Sequence, residues 1–430
     1  MKICVYGLWH LGCVISSCLA DKEFNVVGLD SNELIIKNLL KAKPPLFEPG
    51  LEELISKNLS KNLIFTSNYK EAIGDADILW ITFDTPVDKN DKADTEYIFE
   101  KIKDALKFVN DNCKIIISSQ VPVGFVKKLE IFAEKEYKKK LYFCYSPENL
   151  RLGKAINYFK NPDRIIVGVR DEKHKKLLTS FFKKLSDNIV WMNIASAEMT
   201  KHAINSFLAL SITFINELAA LCEFNDADAK EVEIGLKTDE RIGQKAYLKP
   251  GIAYSGGTLA RDVNFLNSLA DSFNYPAYLL SGIKKSNNYH KKWLKRTLLS
   301  CFNSLEGKTV TILGLTYKSG TNTLRRSMAI EFINSLKSES INIRVFDPEV
   351  KELPDNLKER ITLFDNINDA LNNSDCLAII TEKQIFKQEL NLKIINRMKN
   401  KLIIDANGFI ESIAMEDKSI KYIRVGKKLV

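Results

Sequence analysis

The stretch Lys2-Ile-Cys-Val-Tyr-Gly-Leu-Trp-His-Leu-Gly12 opens the chain with a short apolar run that ends in a glycine turn. An apolar helical pattern follows over residues 13–20, and a second apolar run, residues 25–29, ends at Asp30. Strand, glycine turn, helix, strand and terminal acid form a dinucleotide-binding arrangement: the helix N-terminus holds the pyrophosphate and the acid binds the ribose hydroxyls. We expect Asp30 to repel a 2′-phosphate, which favours NAD over NADP.

This glycine fingerprint is incomplete. Gly7 and Gly12 occupy its first and third positions, but Trp9 stands at the second, where the backbone approaches the pyrophosphate. On this stretch alone, a βαβ turn that binds no cofactor stays open. His10, at the start of the helix, is a candidate contact for a cofactor phosphate, with a capping or surface histidine as the alternative.

Strand and helix patterns continue to alternate along the chain. Apolar runs followed by polar loops are typical of a doubly wound parallel sheet, whose ligand site lies at the carboxyl ends of its strands. These runs cover residues 76–82, 113–119, 141–145, 164–168, 189–192, 308–314, 343–347, 376–381 and 402–405. The sequence therefore predicts an α/β fold with two Rossmann-like doubly wound domains.

A long helix is predicted between the two domains. Residues 196–221 contain neither glycine nor proline and are best explained as a helical spine that joins the two halves. Lys201 and Asn205 are four residues apart on it and therefore share a face. Their apolar neighbours predict a partly buried site, although a solvated helix face is the alternative.

Residues 249–262, Lys-Pro-Gly-Ile-Ala-Tyr-Ser-Gly-Gly-Thr-Leu-Ala-Arg-Asp, follow this helical region. The Pro-Gly and Ser-Gly-Gly sequences predict a loop rather than a helix interior or a strand. Glycines let the backbone approach a ligand closely. An ordinary domain-connecting turn is the alternative.

Composition limits the class of protein. At 430 residues the chain is long enough for two or three domains, and 45% apolar with 27% charged residues is typical of a soluble globular protein. No apolar run approaches the length needed to span a bilayer, and the N-terminus enters a strand pattern without a signal peptide. Eight cysteines without metal spacing predict reduced thiols, a cytoplasmic location and no metal site. The net charge of +9 is diffuse, which predicts no nucleic-acid partner.

Together these segments resemble the UDP-glucose/GDP-mannose dehydrogenase family over nearly the whole chain. The segments that carry the resemblance are Pro45-Leu-Phe-Glu-Pro-Gly-Leu-Glu-Glu53, Ser146-Pro-Glu-Asn-Leu-Arg151, Asn161-Pro-Asp-Arg-Ile-Ile-Val-Gly168, Ala197-Glu-Met-Thr-Lys-His-Ala-Ile-Asn205, Asp239-Glu-Arg-Ile-Gly243 and Gly314-Leu-Thr-Tyr-Lys318. The resemblance implies three domains: an NAD-binding Rossmann-like domain at residues 1–195, a central helical dimerisation domain with the catalytic loop at 196–300, and a C-terminal nucleotide-sugar-binding Rossmann-like domain at 301–430.

The resemblance also implies a reaction. In that family, NAD takes a hydride from C6 of a nucleotide-sugar alcohol, and a loop cysteine captures the aldehyde as a thiohemiacetal. A second hydride transfer gives a thioester, which water hydrolyses to the uronate. Lys201 and Asn205 would stabilise the developing alkoxide. Asp262, with an ordered water, would assist proton removal, and Glu148 would act as acid or base in the hydrolytic step.

The same resemblance implies the residues that bind each ligand. The expected cofactor-binding residues are Gly7, Trp9, His10, Leu11, Gly12, Asp30, Thr85, Gln120 and Arg325. The expected substrate-binding residues are Glu148, Leu150, Lys201, Asn205, Arg241, Tyr247, Leu248, Gly251, Tyr254 and Lys318. Arg241 would reach the substrate from the partner subunit of a homodimer that pairs through the central helical region.

The chain departs from the family pattern at the catalytic loop. The family cysteine falls on Thr258, the threonine of the family Ser-Thr-Val-Pro motif is Gln120, and the aromatic residue after Ser-Pro-Glu is Asn149. A cysteine is partly ionised near neutral pH, whereas a threonine hydroxyl is a weak nucleophile without an adjacent base. Thr258 could instead hydrogen-bond a sugar hydroxyl or fill the volume of the thiol.

These departures lead to one hypothesis and two alternatives. The hypothesis is an NAD-dependent dehydrogenase that oxidises a nucleotide sugar, with a UDP-hexose favoured by overall similarity, and stops after one two-electron step. The first alternative is full oxidation to the uronate through an aldehyde hydrate, without covalent capture. The second is a non-catalytic nucleotide-sugar-binding protein.

Overall fold

The computed structural model describes residues 1–88, 93–148, 150–255 and 257–428. Asn149 and Gly256 lie outside this described part. The chain divides into two compact units, Met1–Ile204 and Asn205–Val430. The division into three domains stays a prediction.

The described part of the first unit contains a sheet of eight strands. These are β1 Lys2–Tyr6, β2 Asn25–Leu29, β3 Leu63–Thr66, β4 Ile78–Ile81, β5 Lys114–Ile117, β6 Tyr142–Tyr145, β7 Ile165–Val169 and β8 Ile189–Asn193. Their order in the sheet is β3-β2-β1-β4-β5-β6-β7-β8. The first six follow the order of a dinucleotide-binding sheet, in which the ligand crevice lies where the strand order reverses, between β1 and β4.

Helices cover both faces of this sheet. They are α1 His10–Asp21, α2 Glu33–Leu39, α3 Leu51–Asn58, α4 Tyr69–Ile73, α5 Thr95–Leu106, α6 Phe125–Tyr137, α7 Ala155–Lys160, α8 Glu172–Lys183 and α9 Ile194–Phe224, which continues into the second unit. Successive side chains of β1 point to opposite faces, so Ile3 and Val5 pack in one core while Cys4 and Tyr6 pack in the other. Burial on both faces explains why the strands are continuous apolar runs.

The second unit repeats this architecture after a helical segment. Its helices are α10 Ala229–Thr238, α11 Thr258–Ser272, α12 Tyr278–His290, α13 Trp293–Cys301, α14 Met328–Ser335, α15 Asp355–Lys358, α16 Ile367–Leu371, α17 Gln384–Glu389, α18 Leu392–Ile395 and α19 Glu411–Ala414. Its strands are β9 Thr309–Leu313, β10 Asn342–Phe346, β11 Thr362–Leu363, β12 Cys376–Ile379, β13 Leu402–Asp405 and β14 Lys421–Ile423, in the order β11-β10-β9-β12-β13-β14. The prediction of two Rossmann-like sheets and a long helix is confirmed.

The sheets differ from the prediction in detail. Every strand pair is parallel except β6 and β7, which meet in antiparallel orientation at Tyr145 and Gly168. The reversal is possible because α7, only six residues long, does not carry the chain back across the whole sheet. The strands β3, β11 and β14 were not predicted, since each has four residues or fewer and no long apolar run.

The helix α9 corrects one expectation about apolar runs. Among the described helices, α9 is the one whose length of 31 residues and apolar composition would allow it to cross a membrane. Of its most apolar stretch of 18 residues, 39% is buried in the protein. Its polar residues do not break the pattern, because Ser211 and Thr213 donate to carbonyls one turn back, Phe207 O and Ala209 O. Core helices of soluble proteins meet the same criterion, and the cytoplasmic location stays a prediction.

Candidate active site

The glycine turn after β1 has the geometry that a dinucleotide needs. Gly7 has φ +103°, a conformation that favours glycine, and its N–H donates to Leu29 O at 3.0 Å. A Cβ on Gly12 would collide with Gly7 O and approach Thr82 Oγ1 to 2.7 Å, so only glycine fits there. Asp30 is 8% exposed, and its Oδ2 accepts from Leu8 N at 2.7 Å, which ties the acid to the turn.

Trp9, at the second fingerprint position, fits this turn without strain. It is the N-cap of α1 with φ −82°, a backbone conformation open to any L-residue, and its side chain is exposed. His10 begins α1, and its Nε2 lies 2.8 Å from Oε2 of Glu48. No described side chain caps the first backbone amides of α1, so these amides remain available to a ligand. The His10 side chain is bound by Glu48 instead.

Glu48 is a residue that the sequence reasoning missed. Its carboxylate is buried and accepts from Gly153 N and Ala155 N, each at 2.7 Å, as well as contacting His10. It thus connects the glycine turn to the segment that follows Glu148. Its place in the family-like loop at residues 45–53 was the available signal, but its backbone partners Gly153 and Ala155 are 105 and 107 residues away in sequence.

The predicted cofactor residues Thr85 and Gln120 come together. They follow β4 and β5, which are neighbours in the sheet, and Thr85 Oγ1 donates to Gln120 O at 2.6 Å. Both residues are buried. Leu11 and Leu150 are partly buried and pack against the core on one face of the same sheet.

Lys201 reaches the segment that bears Glu148. Its Nζ donates to the backbone carbonyl of Glu148 at 2.7 Å, and both residues are partly buried within the first unit. A buried ammonium needs such partners, because desolvation without them is costly. The predicted catalytic lysine therefore contacts the backbone of Glu148, the residue predicted as acid or base.

In the second unit, Asn205 pairs with Asp262. Asn205 Nδ2 donates to Asp262 Oδ2 at 2.5 Å, and the two side chains are 7% and 0% exposed. Asp262 lies on α11, which begins at Thr258 with Gly257 as its N-cap. The expectation that residues 249–262 are loop throughout is thus wrong for the last five, which form a helix start because no glycine or proline follows Gly257.

Three asparagines hold the remaining loop in place. The amide oxygens of Asn216, Asn407 and Asn287 accept from Gly251 N at 3.0 Å, Ile252 N at 2.8 Å and Tyr254 N at 3.1 Å, and Asn287 Nδ2 donates back to Tyr254 O at 3.0 Å. The Tyr254 side chain also packs into a small core with α11 and α12 residues. The loop is therefore a fixed feature of the second unit, and none of the three asparagines was predicted from the sequence.

The other predicted substrate residues, and Arg325 predicted for the cofactor, are not drawn together by described contacts. Leu248 is buried, whereas Tyr247 and Arg325 are exposed. The side chain of Arg241 is 89% exposed and pairs with Asp239 at 2.7 Å. Lys318 is partly buried, and its carbonyl accepts from Thr316 Oγ1 at 3.2 Å. Their roles stay predictions.

His290 also contacts the loop, with a consequence for pH. Its Nε2 lies 2.8 Å from Gly251 O and, because a carbonyl only accepts, this nitrogen carries the proton. Burial lowers the pKa of the His290 imidazole below its ordinary value, so the unfolded chain binds a proton more readily than the folded chain. The stability that neutral His290 contributes is therefore complete above the unfolded pKa of about 6.5 and is lost progressively as the pH falls from there through the lowered pKa of the folded state.

We expect His290→Gln to flatten the pH dependence of stability. A glutamine amide can donate to Gly251 O but does not titrate, so between about pH 7.5 and 5.5 the melting temperature should fall less steeply than in the wild type. Differential scanning calorimetry of both proteins across this range measures the difference. Parallel curves would show that His290 does not govern the acid side of the stability profile.

The fold and the glycine turn together indicate the class of enzyme to which the protein belongs. A sheet with Rossmann order and a glycine turn closed by Asp30 are the features of an NAD-dependent dehydrogenase.

Comparison with known proteins extends this class to a family. Models of the UDP-glucose/GDP-mannose dehydrogenase family match the chain in three parts: the NAD binding domain at residues 1–186, the central domain at 195–289 and the UDP binding domain at 311–412. The chain belongs to the UDP-glucose/GDP-mannose dehydrogenase family. The predicted dehydrogenase class and the NAD cofactor are confirmed.

Relatives cover the chain from end to end. UDP-glucose 6-dehydrogenase TuaD of Bacillus subtilis is 31% identical over 433 residues, which is 100% of this chain and 94% of the relative. UDP-glucose 6-dehydrogenase of Rickettsia conorii is 31% identical over 434 residues, with 100% of both chains covered. A UDP-glucose dehydrogenase structure from Pyrobaculum islandicum aligns with a TM-score of 0.89 at 26% identity, covering 99% of this chain and 98% of its own.

Proposed function

We propose that the chain oxidises C6 of a UDP-hexose with NAD and releases the aldehyde after one two-electron step. The relatives named UDP-glucose 6-dehydrogenase support the choice of UDP-glucose as the first substrate to test. The observation that carries the one-step proposal is Thr258, which stands where the family has its cysteine. The rest of the catalytic set implied by the family is present.

The residues of the glycine turn fit NAD. The start of α1 presents free backbone amides to the pyrophosphate, the absence of a Cβ at Gly12 keeps the turn tight, and Asp30 lies at the end of β2 for the ribose hydroxyls. When bound, NAD supplies the acceptor for the hydride that leaves the sugar carbon. Trp9 and Gln120, the two departures on this side, introduce no backbone strain and no charge.

Two donors are available for the oxygen on the oxidised carbon. As the C–H bond breaks, negative charge grows on this oxygen, and the Lys201 ammonium and the Asn205 amide would stabilise it. The contacts of Lys201 with Glu148 O and of Asn205 with Asp262 already fix the direction of both side chains. The hydroxyl proton would pass through a water to Asp262, whose carboxylate is fully buried.

The described part of residues 249–262 contains no cysteine to act as the nucleophile for the second oxidation. Thr258 is exposed at the first position of α11, and His290, the histidine nearest to it in sequence, directs its Nε2 to Gly251 O. The cysteines nearest in sequence pack in the core of the second unit: Cys222 within it and Cys301 against its edge. Burial raises the pKa of the Cys222 thiol, which disfavours the thiolate that covalent capture needs.

The test is the ratio of NADH formed to nucleotide sugar consumed. The protein, NAD and a panel of UDP- and GDP-sugars are mixed, NADH is read by absorbance, and the sugar product is identified by mass spectrometry. We expect one NADH for each UDP-hexose, with an aldehyde as product. Two NADH with a uronate as product would contradict the one-step proposal and support oxidation through the hydrate. A flat trace with measurable sugar binding would favour the binding-protein hypothesis.

We also propose that the chain is a homodimer paired through the helical region. On α9, Phe207, Phe214 and Leu221 are 66%, 46% and 56% exposed and recur every seventh residue, so they form one apolar stripe. Such a stripe is unusual on a monomer surface. Sedimentation equilibrium measures the mass directly, and a monomer at micromolar concentration would contradict the proposal.

A further inference from the structure

The first turns of α9 hold two segments of the predicted site at once. Glu198, Lys201 and His202 have the i, i+3, i+4 spacing that places side chains on one helix face. Lys201 donates to the Glu148 carbonyl, as described above. The other two contact residues 118–126, the segment that contains Gln120 and the start of α6.

Glu198 caps α6 from outside that helix. Its side chain is fully buried; Oε2 accepts from Gly124 N at 2.6 Å and Oε1 accepts from Val126 N at 3.0 Å. Gly124 is the N-cap residue of α6 and has no side chain of its own to do this. A carboxylate at a helix N-terminus satisfies free amide donors and is favoured by the helix dipole.

His202 holds the other end of the same segment. Its ring is 1% exposed, and Nε2 lies 2.9 Å from Val121 O, so this nitrogen carries the proton and donates. Val121 directly follows Gln120, whose own carbonyl accepts from Thr85. The backbone carbonyls of two consecutive residues, Gln120 and Val121, are therefore held by side chains from two different elements, Thr85 and His202.

We propose that Glu198 and His202 are positioning residues, which fix the cofactor loop of residues 118–124 relative to the helix that carries Lys201. This inference rests on the proposed function, in which Gln120 contacts the cofactor and Lys201 contacts the reacting oxygen. Hydride transfer requires donor and acceptor carbons in close contact, and a misplacement of about 1 Å can cost about 100-fold in rate. Two side chains that bind backbone atoms of one loop can set that distance without touching either reactant.

A matched pair of variants isolates the contact of His202. In His202→Gln the amide nitrogen can replace Nε2 as the donor to Val121 O, whereas His202→Met keeps the volume and loses the donor. We expect His202→Met to lower kcat by about tenfold and to raise KM for NAD by about fivefold, with KM for UDP-glucose within about twofold of the wild type. His202→Gln should restore most of both losses.

Glu198→Gln is an independent variant. A glutamine accepts through one oxygen only and presents its NH₂ to the second backbone N–H, so hydrogen exchange at Gly124 and Val126 should accelerate. We expect kcat and KM for NAD to change in the same direction as in His202→Met. Asp171→Ala is the control, because it removes a helix cap in the same unit, in which Asp171 Oδ1 accepts from His174 N on α8, a helix that makes none of the loop contacts described above. It should lower the melting temperature and leave both kinetic constants unchanged.

Affinity for NADH, measured by quenching of tryptophan emission, separates this inference from the proposed function. We expect His202→Met to bind NADH about fivefold more weakly than the wild type and His202→Gln to bind nearly as well. If the wild type oxidises no nucleotide sugar, the proposed function fails, and the binding comparison still decides the role of His202. Equal NADH affinity in both variants, or a kcat loss in Asp171→Ala as large as in His202→Met, would overturn the inference.

Discussion

Replacing Lys201 with methionine is expected to lower kcat by about 10² to 10³-fold, the loss that follows removal of one donor to a developing oxyanion. The ammonium is held 2.7 Å from Glu148 O, within one turn of Asn205 on the same helix. Methionine keeps the length of the side chain and removes the charge and the donors. Steady-state kinetics with UDP-glucose and NAD measure the loss, and quenching of tryptophan emission should show unchanged NADH affinity.

Lys139→Met is the matched control. The Lys139 ammonium also donates to backbone carbonyls of the first unit, with Val109 O at 2.8 Å as the shortest contact, where the chain leaves α5. Its loss should lower the melting temperature without changing kcat. If Lys201→Met retains more than a tenth of the wild-type kcat, or if both lysine variants lose activity equally, then Lys201 acts through folding and not through the alkoxide.

Thr258→Cys is expected to change the product from the aldehyde to the uronate and the yield from one to two NADH per sugar. Thr258 is the first residue of α11, and a helix N-terminus lowers the pKa of a thiol placed there, which raises the fraction of thiolate. The thiolate can add to the aldehyde and form the thiohemiacetal, whose carbon carries the hydrogen for a second oxidation. Mass spectrometry of the product, with the NADH count, measures the change.

Thr258→Ser controls for the geometry of the site. Serine keeps a hydroxyl and is as poor a nucleophile as threonine without a base, so it should leave the yield at one NADH. The threonine side chain is exposed, so neither substitution creates a cavity in a core. A yield that stays at one in Thr258→Cys would show that the missing thiol is not what limits the reaction, and hydrolysis by Glu148 would then be the step to test.

Much of the fold could be predicted because the strands, turns and helices depend on patterns among residues that are near neighbours in sequence. Strands buried on both faces are continuous apolar runs, and the turn between Gly7 and Gly12 needs glycine for reasons that involve only its immediate neighbours. Asp30 was identified from its spacing, and the structure places it against the same turn. The reversal at β7 escaped prediction, because it depends on where the chain segment packs and not on its composition. The helical start at Thr258 was missed although the residues after Gly257 allow a helix.

The roles of the predicted site residues stay predictions, and the side chains that support these residues could not be predicted. Lys201 and Asn205 were found from helical spacing, and Asp262 and Glu148 from the resemblance. The hydrogen-bond partners of these residues were not predicted. Many of them are backbone amides and carbonyls, which every residue has, so the sequence does not distinguish them. Four side chains that hold the loop of residues 249–257 came only from the structure: Asn216, Asn287, His290 and Asn407.

The sequence alone identified two Rossmann-like sheets, NAD as the cofactor of the first and the dehydrogenase family. That Thr258 replaces the loop cysteine of this family stays a prediction. How the segments that carry the predicted site residues are held together became visible only in the folded chain: Glu48, Glu198 and His202 each hydrogen-bond backbone atoms tens of residues away in the chain. The physical reason is the range of the interactions. Periodicity and turn chemistry act between near neighbours, whereas a buried polar side chain finds its partner only after the strands and helices have packed.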